Sequence, residues 1–417
     1  MAIGYKRMSQ KKTVHLSYPI HTETNGARRT LATCGLAHFI HDGLHDALYV
    51  LLPLWAQIFG LSLAQVGLLK AVYSGTLSLF QIPAGILAER YGERSLLVGG
   101  TIVAGIGYTL LGSAGGFFGL LILLAFVGLG SGVQHPLSST LVARAYPAEG
   151  QRAALGIYNF TGDLGKMGLP ATTAIIAGAI GWQSSVIASG LLGAVAGLFI
   201  FFLLRQLRHN TTKKTEPKTT NSIGNDWGIK NQPAFLALSG INIVDTAVIY
   251  GFLTFLPFLL IEKGAAVETL GLALALTFGG GAAGKFLCGV LAEKIGIIRT
   301  SIITILAKGI FILVLLWLPL GAGLLLLPLL GAALNGTSSV LYATVAELVD
   351  PERHSRTFGL FYTLGMAAGA VSPVLFGVIS DHAGIPLALT IISFSALLIV
   401  PFCLVLQRLM RAPGITP

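Results

Sequence analysis

Charged residues are scarce in this chain of 417 residues. Asp, Glu, Lys and Arg make up 11% of it, less than half of the about 25% that is usual in soluble domains. Hydrophobic residues make up 54%, and the mean hydropathy is +0.78. This composition excludes an ordinary soluble domain and predicts an integral membrane protein.

Cysteine is also rare, and several motifs are missing from the sequence. The three cysteines lie far apart in apolar segments, which excludes a disulfide framework and a C-x-x-C metal site. No Walker motif is present, so ATP is not expected as the energy source. No Ser-His-Asp arrangement has a plausible aqueous pocket, so neither an enzyme nor a cofactor is expected. Residues 1–29 contain no apolar run and are not expected to be a cleaved signal peptide.

Twelve apolar runs of helical length fill most of the chain, each near the roughly 20 residues that cross a bilayer. A polar segment rich in Thr, Asn and Lys separates six runs from six. The sequence therefore predicts an all-α membrane protein with a tail at 1–30, six-helix bundles at 31–204 and 233–407, a linker at 205–232 and a tail at 408–417. The predicted runs are 31–59, 63–88, 94–113, 117–142, 152–178, 183–204, 233–260, 267–292, 300–318, 321–346, 356–380 and 385–407.

The positions of Lys and Arg predict the orientation of these runs. If the N-terminus is cytoplasmic, the inner loops, linker and tails hold 22 of the 27 Lys and Arg, and the outer loops hold Lys263 alone. Cytoplasmic loops of membrane proteins are enriched in these residues. Both termini are therefore predicted to be cytoplasmic, and the net charge of +10 reflects topology rather than a nucleic-acid partner.

The two halves repeat each other at an offset of 203 or 204 residues. At an offset of 204, Leu52-Pro53 recurs as Leu256-Pro257. At an offset of 203, three glycines and a proline recur: Gly128, Gly156, Gly162 and Pro170 correspond to Gly331, Gly359, Gly365 and Pro373. Repeated bundles of this kind are typical of transporters whose substrate site lies between the repeats.

The loop after the second run carries a family motif. It reads Gly-Ile-Leu-Ala-Glu-Arg-Tyr-Gly-Glu-Arg over 85–94, with a weaker copy at 289–296. It resembles the G-x-L-a-D-r-x-G-r-r loop of the major facilitator superfamily, with Glu for Asp. An acid at a helix end accepts hydrogen bonds from a helix N-terminus or from arginine, and glycine permits close packing and a tight turn. The predicted gating latch consists of Gly85, Glu89, Arg90, Gly92, Arg94, Gly289, Glu293 and Gly296.

Two further stretches resemble the fosmidomycin-resistance branch of that superfamily. They are His38-x-x-x-Asp42 in the first run and the segment 128–139 in the fourth, which contains His135-Pro136. The resemblance implies twelve helices in two pseudo-symmetric bundles and proton-driven export of a small polar antibiotic. It also implies that the first and fourth runs line a central cavity, so that His135 faces the first run.

The first run carries five ionisable residues inside a predicted membrane helix. At about 100° per residue, His38, Asp42 and His45 share a narrow arc, and His41 and Asp46 flank it. Each such group costs about 2.5–3.5 kcal/mol at bilayer depth, so this face must meet protein or water. Since an unperturbed histidine titrates near pH 6.5, the cluster is predicted to couple protons and contact substrate. The alternative is a static polar network that fixes helix packing.

Other ionisable residues within the runs receive separate predictions. Asp163 and Lys166 stand three residues apart in the fifth run and are predicted to form an ion pair, either permanent or opened by a charged substrate or a proton. Asp245 in the seventh run is the candidate in the second half. Three lysines are interpreted as snorkelling toward the membrane surface or contacting phospholipid: Lys70, Lys285 and Lys308.

These features predict a monomeric secondary transporter in a bacterial inner membrane, with protons, lipid and a small molecule as partners. Proton-coupled export, or antiport, of a small polar or amphipathic molecule is the first hypothesis. The alternatives are proton-coupled import of a nutrient or metal chelate, and an uncoupled membrane sensor or lipid scramblase. Histidine and aspartate at helical spacing can also bind a divalent ion, but no His-rich loop or cysteine pair supports a transporter of free metal ions.

Overall fold

A computed structural model of the protein describes residues 25–206, 227–350 and 354–411. These ranges form α-helices joined by short connections, with one isolated β-bridge between Ile229 and Val349. The helices within the described ranges are α1 Asn25–Phe59, α2 Leu63–Tyr91, α3 Glu93–Leu111, α4 Phe117–Ser131, α5 Gln134–Ala145, α6 Ala148–Ile180, α7 Trp182–Gln206, α8 Gln232–Glu262, α9 Val267–Ile295, α10 Ile297–Trp317, α11 Leu320–Leu348, α12 His354–Ala383, α13 Ile385–Ala396 and α14 Ile399–Arg411.

The all-α membrane fold is confirmed, and the prediction of twelve spans is confirmed in part. Within the described residues, 10 helical segments are long and apolar enough to cross a membrane. The two predicted spans that fall outside this set are α1 and α6, although they contain 35 and 33 residues. These two helices carry the ionisable residues that lower their hydropathy. Their transmembrane placement, like the cytoplasmic termini, stays a prediction.

Two predicted runs are each divided into two helices. The fourth run becomes α4 and α5, and the twelfth becomes α13 and α14. Pro136 lies in the first turn of α5, where the missing amide hydrogen removes no helical hydrogen bond. This break places His135 at the start of a helix in the interior of the bundle.

The helix contacts repeat between the two halves, as the sequence offset suggested. In the first half α1 packs along α6 and α2 along α4; in the second half α8 packs along α12 and α9 along α11. The connections after α2 and α9 repeat as well, because Gly92 and Gly296 adopt φ values of +84° and +90°. Only glycine takes such angles without strain. The linker and both predicted tails lie largely outside the described residues, so the domain boundaries stay predictions.

The halves meet at one end of the bundle, which we call the outer end after the predicted orientation. There Gly67 of α2 lies directly against the backbone of Pro373 in α12, and Gly271 of α9 lies against Ala171 of α6. The carboxylate of Asp381 in α12 accepts hydrogen bonds from the backbone amide of Leu63, at 2.6 Å, and from that of the next residue, at 2.9 Å. These amides begin α2, so an acid of the second half caps a helix of the first.

Toward the opposite, inner end, glycines of these helices lack such contacts. Four glycines near the inner ends of the same helices have open space where a side chain would stand: Gly85, Gly156, Gly289 and Gly359. The glycine contacts with backbone of the other half therefore lie toward the outer end.

The motif at 85–94 forms a tight turn, and Gly85 makes no close contact in this conformation. Gly92 closes α2 through its amide on the Ala88 carbonyl at 2.8 Å. Arg90 is exposed and lies over the ring of Tyr91, while Glu93 pairs with Arg144 of α5. The remaining latch positions show no cross-half contact that the structure describes: Arg94 is half-buried, Glu293 is exposed, and the side chain of Glu89 lies outside the described set. The latch therefore stays a prediction.

Candidate functional site

Close packing of α1 on α6 positions the central residues. Gly165 of α6 lies against the backbone of Phe39, and a Cβ atom at Gly162 would come within 2.6 Å of the His38 ring and 2.8 Å of the Asp42 carboxylate. Any larger residue at 162 would displace these side chains. The glycines of α6 therefore give the two polar side chains their room.

Asp42 is the centre of the cluster. Its carboxylate lies 2.9 Å from His41 Nδ1, 3.2 Å from His38 Nε2 and 3.2 Å from the Lys166 ammonium. His135 Nε2 of α5 lies 3.7 Å from the same carboxylate. The prediction that the first and fourth runs face each other through these residues is confirmed.

His38 is oriented so that its Nε2 atom faces the Asp42 carboxylate. Its Nδ1 lies 2.9 Å from the carbonyl oxygen of Tyr158, and its ring stacks on the Tyr158 ring with centroids 4.2 Å apart. A carbonyl only accepts, so Nδ1 must donate. Nε2 then carries a hydrogen only in the imidazolium form. The 3.2 Å contact with Asp42 is a hydrogen bond when the pair holds a proton on one partner or the other.

His41 extends this arrangement toward α5. The rings of His41 and His135 are 4.8 Å apart and nearly perpendicular. His41 Nε2 is buried and has no hydrogen-bond partner among the described residues, and the same holds for both amide atoms of Gln134. Buried polar atoms of this kind are normally satisfied by water or ligand.

Lys70 lies beside the outer part of the cluster, and its predicted position at the membrane surface is wrong. Lys70 does not snorkel: it is fully buried, with its ammonium 3.1 Å from His45 Nε2 and 4.2 Å from the centre of the Tyr49 ring. Two more rings, of Tyr73 and Tyr250, surround it at 5.5 and 5.8 Å. Aromatic faces stabilise a desolvated ammonium. The neighbouring Asp46 is buried, 3.8 Å from His45.

The predicted pair of Asp163 and Lys166 exists only as a longer contact. Their nearest charged atoms are 3.9 Å apart, while Lys166 is closer to Asp42. Asp163 instead accepts two hydrogen bonds from Lys285 of α9, at 2.7 and 2.8 Å. Lys285 was expected to point to the membrane surface, and that interpretation is wrong. The ion pair joins α6 of the first half to α9 of the second.

Asp245 does not join the cluster. Its carboxylate pairs with Lys308 of α10, and both side chains are almost fully buried within the second half. The interpretation of Lys308 as a snorkelling residue is therefore wrong as well. A role of Asp245 in coupling stays a prediction.

Metal ligation is compatible with part of the site. One donor atom each from His38, Asp42 and His135 lie within 4.8 Å of one another. The Lys166 ammonium already occupies the Asp42 carboxylate, and a bound cation would have to displace it. The same residues therefore suit a proton better than a second positive ion.

The chain matches the model of the Major Facilitator Superfamily over residues 34–373 and again over 238–415. It belongs to that superfamily. The overlapping matches agree with the internal repeat, and the resemblance drawn from the 85–94 motif is confirmed.

Relatives of known name are transporters, not enzymes. The chain is 28% identical over 377 residues to the Fosmidomycin resistance protein of Escherichia coli, covering 88% of this chain and 90% of the relative. It is 25% identical to a probable sulfoacetate transporter of Cupriavidus necator, covering 80% and 82%. A solved structure of a bacterial homologue of the human lysosomal transporter Spinster, inward-facing and unoccupied, shares the fold with a TM-score of 0.79 and 17% identity over 93% of this chain and 98% of that one.

Sequence reasoning missed two residues of the site and one contact between the halves. Tyr158 and Asp381 were not singled out, and Lys285 was assigned to the membrane surface. A charged residue deep in an apolar run signals a partner, and this signal was present for Lys285. No signal in the sequence identified its partner, because Asp163 lies on a helix more than a hundred residues away.

Proposed function

We propose that this protein is a proton-coupled secondary transporter of a small polar molecule in a bacterial inner membrane. The observation that supports it best is the His38–Asp42 pair. It is buried in α1, it holds one proton when hydrogen-bonded, and it borders the space between the halves. A site of this kind must lie where each side of the membrane can reach it in turn.

The proposed cycle uses the two ends of the bundle alternately. We take the present conformation to be closed at the outer end, where the halves touch, and open between the halves at the inner end, so that substrate and proton would exchange with the cytoplasm. Closing the inner end would bring the helix segments around Gly85, Gly156, Gly289 and Gly359 together. Opening the outer end would then separate Asp381 from the start of α2.

Export by proton antiport is the first candidate for direction, because the chain resembles the Fosmidomycin resistance protein along most of its length. Substrate arriving from the cytoplasm would then displace the proton from the His38–Asp42 pair. A proton entering from outside would reload the pair and return the empty carrier.

Import by proton symport is the second candidate. The probable sulfoacetate transporter among the relatives is named for an anionic metabolite. An anion bound beside His38 would favour proton uptake by the histidines, since opposite charges stabilise each other. Anion and proton would then move in the same direction.

Flux in proteoliposomes tests the proposal. The purified protein is reconstituted with a pH-sensitive dye inside, a pH gradient is imposed, and labelled candidate substrates are added one at a time: fosmidomycin, sulfoacetate and glucuronate. Coupled transport predicts dye changes that depend on substrate and on Asp42. Protons moving with the substrate indicate symport, and protons moving against it indicate antiport. Substrate flux without proton movement would overturn the coupling, and an uncoupled sensor or scramblase would show neither.

A further inference from the structure

The charged groups facing the space between the halves are predominantly cations. Lys166 is 28% exposed and Lys285 is 34% exposed, while their acidic partners Asp42 and Asp163 are 7% and 12% exposed. The side chain of His135 is 43% exposed. The carboxylates are thus buried between packed helices, whereas the lysine and histidine nitrogen atoms are the more accessible groups. This face presents hydrogen-bond donors, and the charges of the two lysines are balanced by the two carboxylates behind them.

The cations also belong to both halves. Lys166 lies on α6 and Lys285 on α9, and Asp163 lies between their ammonium groups at 3.9 and 2.7 Å. A group that accepts from both ammoniums would therefore take over the role that Asp163 has in this conformation. An anion meets that requirement best, because an ammonium group only donates hydrogen bonds and an ionised acceptor makes stronger ones than a neutral acceptor.

We propose that the substrate is an organic anion, such as a carboxylate, sulfonate or phosphonate, whose charged head binds between Lys166 and Lys285 in competition with Asp163. This inference rests on the proposed transport function and names its substrate class. His135 supplies a further polar group on the Lys166 side, next to Asp42. The charged group of the ligand contacts one lysine of each half. Its binding therefore replaces the ion pair between Asp163 and Lys285 by a contact of the ligand with both halves.

The buried lysines mark the boundary of the site. Lys308 has no exposed surface and is sealed with Asp245 inside the second half, and Lys70 is enclosed by tyrosine rings. Neither can contact a ligand from the space between the halves without rearrangement. The anion site is thus confined to the exposed pair.

Calorimetric titration of the purified full-length protein in nanodiscs tests the inference. The probes are methylphosphonate, sulfoacetate and glucuronate, with glucose as the uncharged match for glucuronate. We expect glucuronate to bind at least about tenfold more tightly than glucose, which is the scale of a charge-assisted hydrogen bond. Asp163→Asn should strengthen anion binding by at least about tenfold, since it removes the competing carboxylate, and Lys285→Gln should weaken it by a similar factor.

A matched control separates this competition from a general charge effect. Asp350→Asn removes one negative charge from an exposed pair with Lys230, whose charged atoms are 3.9 Å apart. It should leave anion affinity unchanged, and thermal unfolding of every variant verifies folding. Equal binding of glucose and glucuronate, equal affinity in Asp163→Asn and the wild type, or no binding of any anion to either protein overturns the inference.

Failure of the inference differs from failure of the transport function. If anions bind as described but no protons move in the flux assay, the anion site is supported and proton coupling is refuted. If an uncharged molecule is transported with protons while Asp163→Asn leaves anion binding unchanged, proton coupling is supported and the anion site is refuted.

Discussion

Replacing Asp42 by Asn is the sharpest test of the site, because this carboxylate contacts four cationic or titratable groups. At an effective dielectric constant of about 20, an ammonium 3.2 Å from a carboxylate is attracted by roughly 5 kcal/mol before desolvation is counted. Lys166 would lose that attraction in Asp42→Asn. It would keep Asp163 at 3.9 Å, worth roughly 4 kcal/mol on the same scale.

The variant should therefore fold. Losing the sole partner of a buried charge costs about 3–5 kcal/mol, and here a second partner remains and Lys166 has access to solvent. We expect a smaller loss in the free energy of unfolding than that range. Function should suffer more than stability, since the amide of Asn cannot exchange a proton with His38.

The assay is accumulation of labelled substrate in proteoliposomes at zero membrane potential. A pH difference of one unit corresponds to about 1.4 kcal/mol per proton, or about tenfold accumulation for one coupled proton. The wild type should approach that ratio, whereas Asp42→Asn should reach no accumulation while still exchanging labelled for unlabelled substrate. An Asp42→Asn protein that accumulates substrate as well as the wild type would refute the reasoning, and Asp163 would become the next coupling candidate.

Three further outcomes follow from the same contacts. Asp381→Ala removes the hydrogen bonds from the second half to the start of α2, while Ser62 still caps that helix. The lost capping interaction is worth about 0.5–2 kcal/mol and should shift the equilibrium toward outer opening by about 2–30-fold. Thiol labelling, from outside, of a cysteine introduced between the halves measures this shift, and unchanged labelling contradicts the role. Gly85→Trp should block inner closure and abolish transport while substrate still binds, whereas Gly99→Trp, also in open space, should transport normally; equal transport by both contradicts the proposed closure. Asp245→Asn should cost about 3–5 kcal/mol of stability because Lys308 is left buried and unpaired, and adding Lys308→Met should restore much of it; a single variant as stable as the double would show the pair to be unimportant.

Composition, hydropathy and glycine spacing were sufficient to predict the class of fold. Membrane helices must satisfy their backbone hydrogen bonds internally, so a long apolar run is itself sufficient to predict a helix. All predicted runs lie in or overlap helices of the described ranges. The helices α1 and α6 are less apolar than the other spans because they contain several ionisable residues. The Gly92 turn was also predictable, since its left-handed backbone angle depends on local sequence.

The identity of the charge partners was not predictable in the same way. Spacing along one helix suggested that Asp163 pairs with Lys166, a contact of 3.9 Å, but the shorter pair of 2.7 Å joins Asp163 to Lys285 across the two halves. Likewise, Lys308 and Lys70 looked like residues bound for the membrane surface, and they are enclosed by Asp245 and by tyrosine rings.

The helices, their repeat and the cluster on α1 could therefore be predicted from the amino-acid sequence, because they depend on periodicity and burial within single segments. Which acid pairs with which base, and which of these groups are exposed, depends instead on how the helices pack. Ion pairs form between groups brought within a few ångströms, and that proximity depends on the packing of α6 against both α1 and α9.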